Sequence, residues 1–140
     1  SRALTTANAI NGNRARLPHN AALREIHFGD WELKTFAEAE ALSPAHIRAY
    51  WETPGTIAAP NGESWNDLTA RVWAATDRLA QGSHGDIIIV AHFGAILAAL
   101  QRAMGITAAE VFAHKIDNLS VTCLTLGPSG WQVQAINHKA

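Results

Sequence analysis

The chain has 140 residues, 48% hydrophobic and 16% charged, with Gly 10 and Pro 5, the profile of one globular domain with one packed core rather than a disordered or fibrous segment. Lys+Arg 11 against Asp+Glu 12 leaves a net charge of −1 with the cations scattered, so no basic stripe exists for nucleic acid or an anionic membrane surface. The single cysteine, Cys123, excludes an internal disulfide or a Cys-based zinc site and makes the cytoplasm the default location, while the longest apolar run, Ile87 to Ala91, is far too short to cross a bilayer and Ser1 to Gly12 carries no export signal.

Ala3, Leu4, Ala7 and Ile10 recur at helical spacing until Asn11-Gly12, which predicts a helix already under way at the first residue. A helix placed there lacks the preceding segment that caps its first N–H groups, and there is no initiator Met, so a fragment or processed chain is expected. Arg14 to Leu17 suggests a short strand broken by Pro18-His19-Asn20, and Leu23 to Glu32 reads as a loop. Two short helices are expected from Thr35 to Trp51, parted at Ser43-Pro44 with Ser43 as cap, followed by a loop over Pro54 to Gly62.

Ser64 and Asp67 make a capping-box pattern, and Trp65, Leu68, Val72, Ala75 and Leu79 trace one apolar face of the clearest helix. Asp86 to Ala91 is a β-branched run of the kind found in a parallel strand covered on both faces, so it is predicted to be central to a sheet. His92-Phe93-Gly94 then turns into a helix over Ala95 to Met104 with Gly105 as its C-cap, and Thr107 starts another short helix. Strands over Leu119 to Leu126 and Trp131 to Ile136, joined by Gly127-Pro128-Ser129-Gly130, predict a terminal hairpin. Helices alternating with a buried parallel-type strand argue for an α/β sandwich in one domain, residues 1–140.

Ligands of open α/β sheets bind beyond the carboxyl ends of the strands, where His92 stands, and the helix behind it would aim N–H groups and a positive dipole end at an anion such as phosphate. A strand-end histidine with a purely structural role remains the alternative from position alone. His19, His46, His84, His114 and His138 lack metal-ligand spacing and read as surface residues, and no Walker loop, G-x-G-x-x-G, G-x-S-x-G or H-E-x-x-H occurs. The five tryptophans read most simply as core and rim, with an aromatic ligand platform as the lesser option.

Four blocks in order, Ser1-Arg2-Ala3-x-x-Thr6-Ala7, Leu23 to Glu32, Pro60-Asn61-Gly62-Glu63-Ser64 and Ile88 to Gly94, resemble the histidine phosphatase (phosphoglycerate-mutase-like) superfamily, and Leu23 to Glu32 looks most like its α-ribazole phosphatases. The resemblance covers nearly the whole chain. It implies a three-layer α/β/α sandwich with a mostly parallel central sheet, no metal or other cofactor, and hydrolysis of small phosphate monoesters through a phosphohistidine. The implied nucleophile belongs to an Arg-His-Gly motif on a first, central strand, yet none of the seven histidines follows an arginine, so that strand is expected upstream of Ser1.

By the same resemblance Glu25 matches the general acid that protonates the leaving oxygen, and His92 the second pocket histidine, which steadies charge on the phosphoryl oxygens. Arg2 matches a phosphate-binding arginine, the backbone N–H of Phe93 a further phosphate contact, and Phe28 a substrate-facing residue. Solvated or packing roles remain the alternatives for Arg2, Glu25 and Phe28. Glu63 and Ser64 read as structural, with Ser64 a helix cap. Leu33 and Phe93 stand where the family often has Gly and a small residue, and Phe93 narrows the pocket.

The partner expected is a small phosphorylated substrate or inorganic phosphate, with homodimer formation as a further option and neither nucleic acid nor membrane. A phosphate-binding pseudoenzyme or interaction module is the competing functional reading, and a mutase-type phosphotransferase a lesser variant. Without a central strand, the chain by itself is expected to be aggregation-prone through unpaired strand edges.

Overall fold

A computed structural model describes residues 2–82 and 85–139, so Ser1 of the first block and His84 lie outside the described residues. The elements in order are α1 (Arg2–Asn11), 3₁₀ turns at Ala21–Leu23 and Gly29–Trp31, α2 (Phe36–Leu42), α3 (Pro44–Glu52), α4 (Trp65–Gln81), α5 (Phe93–Met104), α6 (Ala108–Val111), β1 (Val121–Gly127) and β2 (Gly130–His138). Local chemistry sets most of these boundaries. Capping boxes at Thr35, Ser64 and Thr107 open α2, α4 and α6, each pairing a hydroxyl with an acidic residue three positions on, and Gly105 closes α5 at φ 65°. Ser43 lies between α2 and α3 as expected, but its side chain makes no cap hydrogen bond and the Pro44 ring alone starts α3.

The hub is α5, on which α4, α6 and the hairpin all pack. Its buried face, Ala95, Leu97, Ala98 and Leu100, shares one core with Trp65, Leu68 and Val72 of α4; Ala75 is also buried, Leu79 is only half-buried and Thr69 takes a place in the buried face. Each large apolar side chain fully buried here contributes about 1.5–3 kcal/mol. The indoles serve the same contact with their polar edges: Trp65 donates to Gln101 Oε1 at 2.7 Å and Trp73 to the Ala98 carbonyl at 2.7 Å. Trp131 of β2 donates to Asp77 Oδ1 at 3.1 Å, and Arg102 pairs with Asp77 at 2.9 Å while lying over the rings of Trp73 and Trp131, which latches the hairpin to the ends of α4 and α5.

Two strand expectations are corrected. Residues 14–17 form no strand and are exposed. Residues 86–91 join no ladder among the described residues, where the only sheet is the antiparallel hairpin β1–β2. Ile88 and Ile89 are 59% and 41% exposed, and of the apolar run only Ala91 packs on the core. The physical reason is that a strand becomes central only when neighbouring strands meet its N–H and C=O groups, and no described segment forms a ladder with this one. His46 also departs from the surface reading: it is half-buried, bonds the Ala58 carbonyl at 2.7 Å and packs edge-on to Trp31.

The departure at Leu33 has a conformational cost. Leu33 has φ 60° and a fully exposed side chain, so it occupies the left-handed region without packing to compensate. The left-handed conformation costs an L-residue roughly 1–2 kcal/mol, more than the roughly 0.5–1 kcal/mol of chain entropy that glycine forfeits. Leu33→Gly is therefore expected to stabilise the protein by about 0.5–1 kcal/mol, read as a higher urea midpoint at unchanged slope; an unchanged or lower midpoint would contradict the assignment.

Candidate active site

The loop Arg24 to Phe28 runs across the start of α5 and is held from behind by α4. Arg71, on that helix, donates to the carbonyls of Ala22 (2.9 Å), Arg24 (2.9 Å) and Glu25 (3.0 Å), and its guanidinium grips both oxygens of Glu63 at 2.7 Å. Glu63 in turn accepts from the His27 N–H at 2.9 Å, and its own N–H donates to the His27 carbonyl at 2.8 Å. Gly29 and Gly62 let these two loops touch: a Cβ on Gly62 would sit 2.5 Å from the His27 carbonyl oxygen, and one on Gly29, at φ 51°, would strike the Pro60 carbonyl. Glu63 is thus structural, as expected, while Arg71 was not singled out by sequence. Its signal was a cation set among Leu68, Val72 and Ala75 on an otherwise apolar helix face.

So held, the half-buried Glu25 turns its carboxylate onto the N-terminus of α5. Its Oε1 accepts from the Ile26 N–H at 2.9 Å, and the Gly94 N–H lies 3.1 and 3.2 Å from its two oxygens. The helix end expected to attract an anion does so, and the anion it holds is this side chain. His92 is the residue just before α5; it is half-buried, its ring makes no hydrogen bond among the described residues, and it does not cap the helix. Phe93, half exposed, begins the helix, and its N–H has no hydrogen-bond partner among the described residues.

An open, shallow cleft with a cavity volume of about 50 Å³ lies over Glu25 and Gly94, lined by Phe28, Tyr50, Trp51, Trp65, Phe93 and Phe112 among others. Phe28 therefore faces the cleft, and of the five tryptophans two contribute to it. The Tyr50 hydroxyl is pushed up to about 12, chiefly by burial and further by the charges of Glu63 and Glu25, so it stays neutral near pH 7. Arg2 is not brought to this cleft. It is exposed at the start of α1, without a hydrogen bond or ion pair among the described residues, and α1 makes little contact with the body that could position it. No cluster of three His, Cys, Asp or Glu that could hold a metal forms among the described residues.

Two substitutions test this arrangement. A Cβ on Gly94 would come within 2.5 Å of Glu25 Oε1 and 3.2 Å of Leu68 Cδ2. Gly94→Ala is expected to cost about 1–3 kcal/mol from crowding, despite the roughly 1 kcal/mol that alanine gains in a helix, and a raised melting temperature would sink the contact. The Arg71 guanidinium, aided by the His27 N–H, holds the Glu63 carboxyl below its ordinary 4.5. A lowered folded-state value adds stability that is complete above 4.5 and is lost as pH falls through the lower folded value, so Glu63→Gln should weaken the protein at pH 7 and flatten the acid limb of its stability profile. An acid limb identical in both proteins would contradict this.

Comparison with known proteins bears on the same elements. Residues 1–139 match the histidine phosphatase superfamily (branch 1). A glucosyl-3-phosphoglycerate phosphatase of Mycolicibacterium vanbaalenii is 37% identical over 113 residues, 74% of this chain and 49% of the relative, so the chain spans about half the length of that protein. Among solved structures, the alpha-ribazole phosphatase of Shigella flexneri superposes with a TM-score of 0.83 at 24% identity over 98% of this chain and 69% of that one. A mycobacterial glucosyl-3-phosphoglycerate phosphatase complexed with inorganic phosphate gives 0.79 at 28% identity, over 98% and 72%. These likenesses show the phosphoglycerate-mutase-like α/β fold, and the chain belongs to the histidine phosphatase superfamily.

Proposed function

We propose that this chain carries the proton donor and second histidine of a phosphatase that hydrolyses small-molecule phosphate monoesters through a phosphohistidine. The nucleophile comes from an Arg-His-Gly strand outside these 140 residues that pairs beside residues 86–91 and completes a single domain. The observation that carries this reading is the Glu25 carboxylate at the N-terminus of α5, directly after His92. Exposed Ile88 and Ile89 support a strand partner there. A cytoplasmic site of action fits the lone, exposed Cys123, and no described helix is long and apolar enough to cross a membrane.

In this reading the incoming histidine nitrogen attacks phosphorus, the P–O bond to the alcohol breaks, and Glu25 gives its proton to the leaving oxygen. Water then attacks phosphorus while giving a proton to Glu25, and the P–N bond breaks with its electron pair returning to the histidine nitrogen, releasing inorganic phosphate. His92 and the free Phe93 N–H donate to the phosphoryl oxygens, whose charge the α5 dipole favours; Arg2 joins them if α1 docks when the domain is complete.

The test is Glu25→Gln in the full-length protein. The turnover number should fall by about 10²–10⁴-fold with phenyl phosphate and less with 4-nitrophenyl phosphate, whose leaving oxygen needs less help from a proton. A full-length protein that binds phosphate yet hydrolyses neither ester would instead establish a phosphate-binding pseudoenzyme.

A further inference from the structure

Leu33 is a strained knob beside a hollow that fits it. Its backbone sits at φ 60° and its side chain is fully exposed, so no packing within one copy of the chain offsets that conformation. Between its loop and helices α2 and α3 lies a hollow of about 210 Å³. Buried Trp31, Ala39 and Ile47 form the floor, and the exposed side chains of Leu33, Phe36 and Trp51 form the rim. A cavity of roughly 150 Å³ holds a benzene ring, so this hollow has room for a leucine side chain. Every residue that lines it falls between positions 28 and 51, and none comes from residues 86–91, beside which the upstream strand is proposed to pair.

A knob and a hollow on one patch are what a two-fold contact requires, because the same surface must serve on both copies. The charges around the knob agree with such an axis. Glu32 and Lys34 flank Leu33, both exposed, and no salt bridge joins either to a neighbour among the described residues. Glu32 accepts from the Phe28 N–H at 3.0 Å through one oxygen, and Lys34 donates to the Asp30 carbonyl at 2.7 Å, which leaves a carboxylate oxygen and two ammonium protons for another molecule. A two-fold axis beside Leu33 sets Glu32 of each copy against Lys34 of the other. We propose that this face is a homodimer interface in which Leu33 of each copy enters the hollow of the other, flanked by two such Glu32–Lys34 pairs. The patch is small, so the dimer belongs to the weak class that buries less than about 1,200 Å² in total, with a Kd of about 1–100 µM. The proposal stands apart from the phosphatase reading. Phe28 and Trp51 border both the hollow and the cleft over Glu25, so the seam runs along one side of that cleft.

Sedimentation velocity on the full-length protein, from about 1 to 300 µM, tests this by mass action. The wild-type protein should pass from one copy to two over that range, and Leu33→Gly should weaken association at least about tenfold. At dilution, where both are monomeric, the urea midpoint of Leu33→Gly should still rise, which separates a lost contact from a lost fold. Glu32→Lys and Lys34→Glu each set like charges across the axis, so each alone should weaken the dimer at least about tenfold. Mixed together, the two single variants present patches of opposite sign and should form a heterodimer about as tight as the wild-type dimer, a rescue that damage to either fold would not produce. A full-length protein that stays monomeric throughout, whether or not its own upstream residues fill the hollow, would overturn the proposal. So would a dimer indifferent to Leu33→Gly, or single charge variants that fail to associate when mixed.

Discussion

A carboxylate can be presented to the end of a helix only if the chain that bears it is held, and here one guanidinium does the holding. Arg71 binds three successive stretches of the Glu25 loop through carbonyls and closes on Glu63, which reaches around to the His27 N–H. With the backbone fixed on one side and the Gly94 N–H on the other, Glu25 has one place to be. Charge-assisted bonds to a mostly buried guanidinium are stronger than neutral ones, and removing one partner strands the others without water. The two loops, the start of α5 and the cleft floor therefore stand or fall together.

His92 is held very differently. On its C-terminal side α5 is anchored by the α4 face and by the latch of Asp77, Arg102 and Trp131. On its N-terminal side lies a segment with no ladder among the described residues and with two exposed isoleucines. Local stability tracks buried apolar contacts and paired backbone groups, so the two sides of this histidine belong to different regimes of motion. Glu25 is held by packed elements on both sides, whereas, among the described residues, His92 is anchored on its C-terminal side alone.

The sequence made legible whatever local chemistry decides. Capping patterns at Ser64 and Thr107, the Pro44 start, the Gly105 stop and the hairpin turn are each settled within a few residues, and they agree with the structure. The block around Glu25 singled that residue out, and the chain order placed a helix start behind His92; the structure brings the Glu25 carboxylate onto that helix start. Residues 86–91 show the limit: a β-branched run states a preference for burial between neighbours, and composition does not say whether neighbours are present. Arg71 was missed, and the aromatic platform ranked only as the lesser option, for a related reason, since both matter through contacts between α3, α4, α6 and loops far apart in sequence.

Gly94 leaves one more mark. A side chain there meets the Glu25 carboxylate and the Leu68 methyl, so a substitution at position 94 displaces Glu25 before it disturbs the core. Phe93 beside it points into the cleft and is half exposed, while Trp51 and Phe112 come from α3 and the turn after α6. The cleft walls are therefore borne on separate elements, and each can be exchanged without disturbing the bonds that hold Glu25 to the start of α5.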